Sequence, residues 1–116
     1  MEMLTVDQIL GAKDFIEEIL EVPEWGGRVK VKTLSMGARY DIAEKSVAGS
    51  GQNRRVDSTQ LALLTVLHGV VEPKFSAETV LKLAEKNASA VEKIVAAVWR
   101  VSSVEPETIK NGLPQA

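Results

Sequence analysis

The sequence contains no cysteine, which excludes disulfides, thiolate chemistry and cysteine-ligated zinc sites. It has a single histidine, His68, so the common two-histidine metal motifs are absent. No apolar run reaches the roughly 18 residues of a membrane-spanning helix. The first eight residues also lack the basic and apolar regions of a signal peptide. We therefore expect no metal or other cofactor, no secretion and no membrane span, and a reducing cytoplasm is compatible.

An excess of basic charge is lacking as well. Fourteen Lys and Arg stand against sixteen Asp and Glu, and the formal net charge is -2. This balance supplies no bulk field for gathering nucleic acid, so a nucleic-acid-binding role is disfavoured from the start. The chain has 116 residues, of which 45% are apolar and 26% charged. Such a length and composition suit a single domain, spanning residues 1–116, with its own core.

The stretch from Val22 to Lys32 contains an aromatic residue, a turn and an alternating strand, and it predicts a β-hairpin. The pair Gly26–Gly27 can adopt the positive φ angles that a tight turn demands. Pro23 has no amide hydrogen and suits the end of the first strand, which we place in the second half of residues 15–22. Trp25 then lies at the bend, where it can cover the core or anchor a partner; the sequence leaves both roles open.

The second strand of this hairpin alternates charged and β-branched residues with period two. Val29 and Val31 should therefore line one apolar face. Arg28, Lys30 and Lys32 should form a row of cations on the other face.

Capping residues predict where several helices begin. Thr5 opens a capping box and predicts a short helix through about Ala12. Ser35 predicts a helix over residues 36–46, whose apolar side should pack on the hairpin and carries Met36, Tyr40, Ala43 and Val47. The following residues 48–55 are rich in Gly, Ser, Asn and Arg, and they predict a flexible loop.

The second half of the chain is richer in apolar helices. Asp57 begins another cap pattern before residues 61–71, which are nearly apolar all round and are predicted to form the most deeply buried element. Its β-branched end at Val70–Val71 can be extended. Ser76 opens a helix to about Lys86 that should bury Val80, Leu83 and Ala84.

The clearest amphipathic helix follows a capping box at residues 89–92. Its apolar stripe comprises Val91, Ile94, Val95, Val98 and Val101. Trp99 lies just off this stripe and is expected in the core more readily than at the surface. A last short helix is predicted between Pro106 and Gly112.

None of the polar residues forms a convincing catalytic group. His68 sits within an apolar run, so we expect a packed or rim residue rather than a catalytic one. Four glutamates crowd residues 17–24, but a solvated face explains them better than paired acid and base catalysis. The Gly49–Gly51 segment lacks the lysine of a phosphate-binding loop. We therefore expect a protein that is not an enzyme.

A family resemblance is carried by three segments, which are Leu4–Thr5, residues 22–35 with their distinctive Val-Pro-Glu-Trp-Gly-Gly, and residues 86–91. Together they resemble the tail assembly chaperones of long-tailed bacteriophages and prophages. The resemblance implies a non-enzymatic protein of the host bacterial cytoplasm that binds the tape measure protein and is absent from the mature virion. It also implies recruitment of tail tube subunits, mainly through a longer form made by a ribosomal frameshift.

The predicted fold is α+β: a mostly helical single domain of four to six helices with one N-terminal β-hairpin. Candidate partner-binding residues are Trp25, Val29, Val31, Tyr40 and Trp99. Two alternatives stay open, a structural adaptor retained in the phage particle and a small nucleic-acid-binding regulator. The regulator would use Arg28, Lys30, Lys32, Arg54 and Arg55. Whether the free protein forms a homo-oligomer also stays open.

Overall fold

The N-terminal hairpin forms part of a three-stranded antiparallel sheet. In the computed structural model, which describes residues 2–103, strand β1 (Glu17–Val22) pairs with β2 (Gly27–Lys32). Strand β2 also pairs with the short strand β5 (Val70–Glu72), so the strand order is β1-β2-β5. The predicted hairpin is therefore confirmed, and Val70–Val71, which the sequence allowed to be extended, belongs to a strand.

The turn of the hairpin is longer than predicted. Val22 lies opposite Gly27, which leaves the residues between them as the loop. A single 3-10 turn over Pro23–Trp25 is closed by Gly26, whose φ is 70°. Of the two glycines expected at the turn, only Gly26 has a positive φ, because Gly27 already belongs to β2. Proline fixes its own φ near the helical value, and this favours a 3-10 turn at that point.

Five α-helices lie within the described residues: α1 (Val6–Gly11), α2 (Met36–Lys45), α3 (Ser58–Gly69), α4 (Ala77–Val80) and α5 (Ala88–Val101). The side chains of Thr5, Ser35, Asp57 and Ser76 accept backbone hydrogen bonds at the first four N-termini, as predicted. The α+β prediction is therefore confirmed. The helix predicted between Pro106 and Gly112 lies outside the described residues.

Two boundaries in the second half differ from prediction. The helix opened by Ser76 tightens after α4 into a 3-10 segment, Leu81–Glu85, and Ala84 in that segment is exposed. Helix α5 is capped by Asn87, whose side-chain oxygen accepts from the amide of Ala90 at 3.1 Å. The predicted capping box at residues 89–92 was therefore wrong. Asn87 begins the helix two residues earlier than predicted, so Ser89 falls inside the first turn.

The core is built around α5, which packs between the sheet and α3. Its predicted stripe is buried as a whole, and the helix also buries Ala90, Ala97 and Trp99. Helix α3 buries fewer residues, namely Leu61, Leu63, Thr65, Val66 and Gly69. Residues 61–71, predicted to be the most deeply buried element, have no exposed residue, whereas α5 leaves one side exposed. Helix α3 packs against α2, α4 and α5.

Helix α2 presents a different face from the predicted one. It packs mainly against α3 and buries Ile42, while Met36 is 76% and Tyr40 48% exposed. The prediction that its Met36 side packs on the hairpin was wrong. Polar contacts orient the helix instead: Arg39 Nη2 donates to the carbonyl of Ser102 at 3.2 Å, and Asp41 binds a side chain of α3.

The segment 48–55, predicted as a loop, contains a small second hairpin. Strands β3 (Val47–Ala48) and β4 (Arg55–Val56) pair antiparallel, and a 3-10 turn over Gly51–Asn53 joins them. Gly49 has a φ of 83°, and a Cβ there would collide with the carbonyl oxygen of Asn53. The flexibility of this segment stays a prediction.

Among residues 2–103, no helix has both the length and the apolar character that crossing a bilayer requires.

Candidate interaction surface

Residues 2–16, here called the N-terminal arm, contain a helix that covers none of the core. Helix α1 has no buried residue, although Val6 is 71%, Ile9 54% and Leu10 79% exposed. These three residues are spaced i, i+3, i+4 and therefore share one face. Further exposed apolar residues of the arm are Met3, Leu4, Phe15 and Ile16. The arm thus presents an apolar helical face to solvent.

The arm helix is formed by local contacts. The hydroxyl of Thr5 accepts from the amide of Gln8 at 3.2 Å, and the side-chain oxygen of Gln8 accepts from the amide of Thr5 at 2.9 Å. This reciprocal capping satisfies two orphan amides at the N-terminus. A helix this short is marginal in water, so a partner that covers its apolar face would also stabilise its conformation.

The arm joins the folded body at Ile16. Its amide donates to the Thr33 hydroxyl at 2.9 Å, and its carbonyl accepts from the Thr33 amide at 2.9 Å. The Thr33 hydroxyl donates in turn to the carbonyl of Val101, at the end of α5, at 3.0 Å. This junction ties the base of the arm to the C-terminal end of α5.

The outer face of the sheet carries charges of both signs. In the β1–β2 register, Glu17 lies opposite Lys32 and Glu21 lies opposite Arg28, with Ile19 and Lys30 between them. The predicted row of cations is therefore interleaved with carboxylates from the neighbouring strand. Opposite charges on facing strand residues attract one another, so this face has no strong basic potential for a polyanion.

The predicted partner-binding residues do not form one surface. Val31 and Trp99 are 0% exposed and Val29 is also buried, so all three belong to the core. Trp25 is half-buried and packs against that core. Tyr40 is exposed on α2. The core position of Trp99 agrees with the expectation from its helix, and no more than Trp25 and Tyr40 reach solvent.

Sequence reasoning missed the arm as a surface. It predicted the helix at Thr5 correctly, but the i, i+3, i+4 pattern of Val6, Ile9 and Leu10 is also that of a helix that packs on its own core. The sequence feature that could have distinguished an exposed helix from a core helix was its position ahead of the hairpin, followed by a connection that begins near Gly11.

An apolar groove of about 240 Å³ lies at the beginning of α5, away from the end of that helix to which the arm is tied. It is formed where the beginnings of α3 and α5 meet the 3-10 segment after α4. Its apolar lining comprises Ala62, Leu63, Leu83, Ala84, Ala88 and Val91. We call it the α3–α5 groove. The rest of its lining is polar and comprises Ser58, Thr59, Lys86 and Glu92.

His68 belongs to a polar cluster at the α2–α3 contact. Its Nε2 lies 2.8 Å from one carboxylate oxygen of Asp41, and Lys45 Nζ lies 3.0 Å from the other. The hydrogen bond from His68, helped by that from Lys45, holds the pKa of Asp41 below its usual range. Within residues 2–103 no hydroxyl binds the imidazole ring, so this cluster ties two helices together and supplies no nucleophile.

The described part of the chain holds no group of three or more His, Asp or Glu side chains placed to bind a metal ion. No family model, curated protein or solved structure matches this chain.

Proposed function

We propose that this protein is a phage tail assembly chaperone, which binds a helical segment of a tape measure protein in the host bacterial cytoplasm. It acts without catalysis and is absent from the finished virion. A longer frameshifted form would supply the main contact with tail tube subunits. The observation that carries the proposal is the exposed apolar arm, and the Val-Pro-Glu-Trp-Gly-Gly resemblance supplies the kind of partner.

The arm has the features of a helix that packs on another helix. Full burial of a side chain such as Ile9 or Leu10 contributes roughly 1.5–3 kcal/mol relative to leaving it in water. The arm makes no use of this free energy within its own fold, since α1 has no buried residue. A tape measure protein is long and helical, and a helix-on-helix contact with anchors at i, i+3 and i+4 would recover that energy.

The nucleic-acid alternative is less well supported. Besides the interleaved outer face of the sheet, two further cations of the body are already paired. Lys93 lies 3.1 Å from Glu24, and Arg100 lies 2.9 Å from Glu18. The chain's overall charge of -2 adds no attraction for phosphate.

A titration with tape measure segments tests the proposal. The segments are synthetic peptides from the very long helical reading frame expected beside this gene. The parent protein should bind at least one of them. The double substitution Ile9→Asp and Leu10→Asp should weaken binding by about tenfold or more, because it removes the apolar anchors. Melting of the dilute, monomeric protein should be unchanged, since neither residue is buried within its own chain.

Met36→Asp is the matched control, because it makes the same kind of change at an exposed apolar residue outside the arm. It should leave the affinity within about a factor of two, as expected for a surface residue outside the interface. If the parent binds no segment of the reading frame, the proposal fails. If the protein instead shifts DNA with a steep salt dependence, it is a nucleic-acid-binding regulator. If it copurifies with finished particles, it is a retained adaptor.

Trp25 needs a separate measurement because it is half-buried. Trp25→Ala should lower the melting temperature while the folded fraction binds normally. Weaker binding at unchanged melting would place the anchor at the hairpin instead of the arm.

A further inference from the structure

We propose that the α3–α5 groove of one copy receives the N-terminal arm of a second copy, so that the protein without its client forms an arm-exchanged homodimer. This inference concerns self-association and does not depend on the identity of the client. One such contact would cover both the exposed apolar face of the arm and the apolar α3–α5 groove.

The arm and the groove lie at opposite ends of α5. The base of the arm is bound to Thr33, which donates to Val101 at the end of that helix. The groove is lined by Ala88 and Val91 at its beginning. With 14 residues, α5 is about 21 Å long. The arm of the same copy would have to run back along this length, and none of its residues lines the groove, which leaves the groove open to the arm of a second copy.

The groove and the arm helix match in size and chemistry. An apolar cavity of about 150 Å³ accommodates a benzene-sized group, so a groove of about 240 Å³ has room for two aliphatic side chains. The face of α1 offers Ile9 and Leu10 side by side, with Val6 one turn earlier. The apolar lining of the groove suits these side chains, and its alanines allow the backbone of a helix to approach.

The area is sufficient for a stable dimer. The five exposed apolar residues ahead of the base of the arm, from Met3 to Leu10, amount to about four fully exposed side chains, or roughly 240–480 Å² of apolar surface. Two arms and the two surfaces that receive them would bury roughly 1,000–1,900 Å². Specific protein interfaces typically bury about 1,200–2,000 Å² in total.

Charge disfavours the obvious competing dimer, in which the exposed edge of β1 pairs with the same strand of a second copy. That strand carries Glu17, Glu18 and Glu21. Antiparallel pairing of two such strands would bring carboxylates of the two copies together, and facing like charges are destabilising. The arm contact avoids this repulsion.

The test is sedimentation equilibrium of the full chain over a concentration series, without any client. The parent should be a dimer. The arm variant, Ile9→Asp with Leu10→Asp, should be a monomer. Ala84→Arg should also be a monomer, because Ala84 is exposed and a long charged side chain there obstructs the groove. Ala77→Arg places the same side chain on an exposed alanine outside the groove and should leave the dimer intact.

Mixing the two defective variants gives the most specific result. The arm variant retains its groove and Ala84→Arg retains its arm, so an equimolar mixture should form a heterodimer through one intact contact. Its association should be about tenfold or more tighter than that of either variant alone. If Ala84→Arg lowers the melting temperature, the exposed Ala88→Arg replaces it at the same groove.

Several outcomes would overturn the inference: a parent that stays monomeric, a dimer that survives the arm substitutions, or a mixture that fails to associate. A client titration keeps this inference separate from the proposed function. A monomeric parent that binds a tape measure segment would refute only the dimer. A dimeric parent that binds no segment would refute only the chaperone.

Discussion

The buried hydrogen bond between Trp99 and Thr65 offers a sharp test of how the core is held together. The indole Nε1 donates to the Thr65 hydroxyl at 3.1 Å, and that hydroxyl donates to the carbonyl of Leu61 at 2.7 Å. Both side chains are 0% exposed, so water cannot replace either partner. Thr65→Val keeps the branched shape of the side chain and leaves the indole N–H without an acceptor.

The expected loss follows from that orphaned donor. A buried N–H without a partner costs about 1–3 kcal/mol. The carbonyl of Leu61 creates no second orphan, because it still accepts the helical bond from the amide of residue 65. We therefore expect Thr65→Val to lower the free energy of unfolding by about 1–3 kcal/mol. For a domain of this size, each kcal/mol lowers the melting temperature by about 4–8 °C.

Urea unfolding followed by far-ultraviolet circular dichroism measures this loss, and a double-mutant cycle assigns it. In a Trp99→Phe background no indole N–H is present, so Thr65→Val should cost less than about 0.5 kcal/mol. Thr59→Val changes an exposed threonine of the same helix and should stay within about 0.5 kcal/mol of the parent. An equal cost for Thr65→Val in both backgrounds, or none in the parent, would refute the reasoning.

Two further perturbations test the contacts of α3. A Cβ on Gly69 would lie 2.5 and 2.7 Å from the methyl carbons of Val98. Gly69→Ala should therefore reduce the free energy of unfolding by about 1–3 kcal/mol in the same urea assay. Adding Val98→Ala should restore part of the lost stability, because it removes the methyl groups that collide. The lowered pKa of Asp41 favours folding above the pKa of an unfolded aspartate, and this contribution is lost as pH falls through the lower folded value. Asp41→Asn should therefore be destabilising near neutral pH, by less than about 1 kcal/mol because the pair is partly solvated. This difference in stability should fade below about pH 4. A difference that is independent of pH would refute the ion-pair explanation.

Local features of the fold were predictable because their causes lie within a few residues. A short polar side chain that accepts an amide three residues later needs no tertiary information, and Thr5, Ser35 and Asp57 were identified as caps in this way. The same holds for the alternation that buries Val29 and Val31 on one face of β2.

Tertiary choices were not predictable from these patterns. The face of α2 is decided by Ile42 in the core and by the polar ties of Arg39 and Asp41, which contact residues 63 and 27 positions away. The α3–α5 groove is likewise assembled from separate elements. Because glycine has no side chain, the residue type at position 69 does not indicate that α5 passes close to its Cα.

The candidate site was harder still to predict from the sequence. An apolar pattern indicates that a surface is covered, but it does not indicate which part of the chain or which partner covers it. Val31 and Ile9 are both apolar residues in regular amphipathic elements. Val31 is covered by α5 of its own chain, while Ile9 is left uncovered. The distinction depends on where the arm leaves the body, at Ile16, and on how the sheet packs, neither of which is encoded within the helix itself.

The separation of arm and body has a consequence for how this protein can work. The core is closed by α5, α3 and the sheet without any contribution from α1, so folding of the body does not depend on the conformation of the arm. The arm can therefore exchange one partner for another at no cost to the stability of the domain. A chaperone that covers its arm in a second copy and then transfers it to a client needs this property. If the proposed dimer and the proposed client contact both form, the affinity for the client would be set by competition between two apolar contacts, because each client helix would have to displace an arm from a groove.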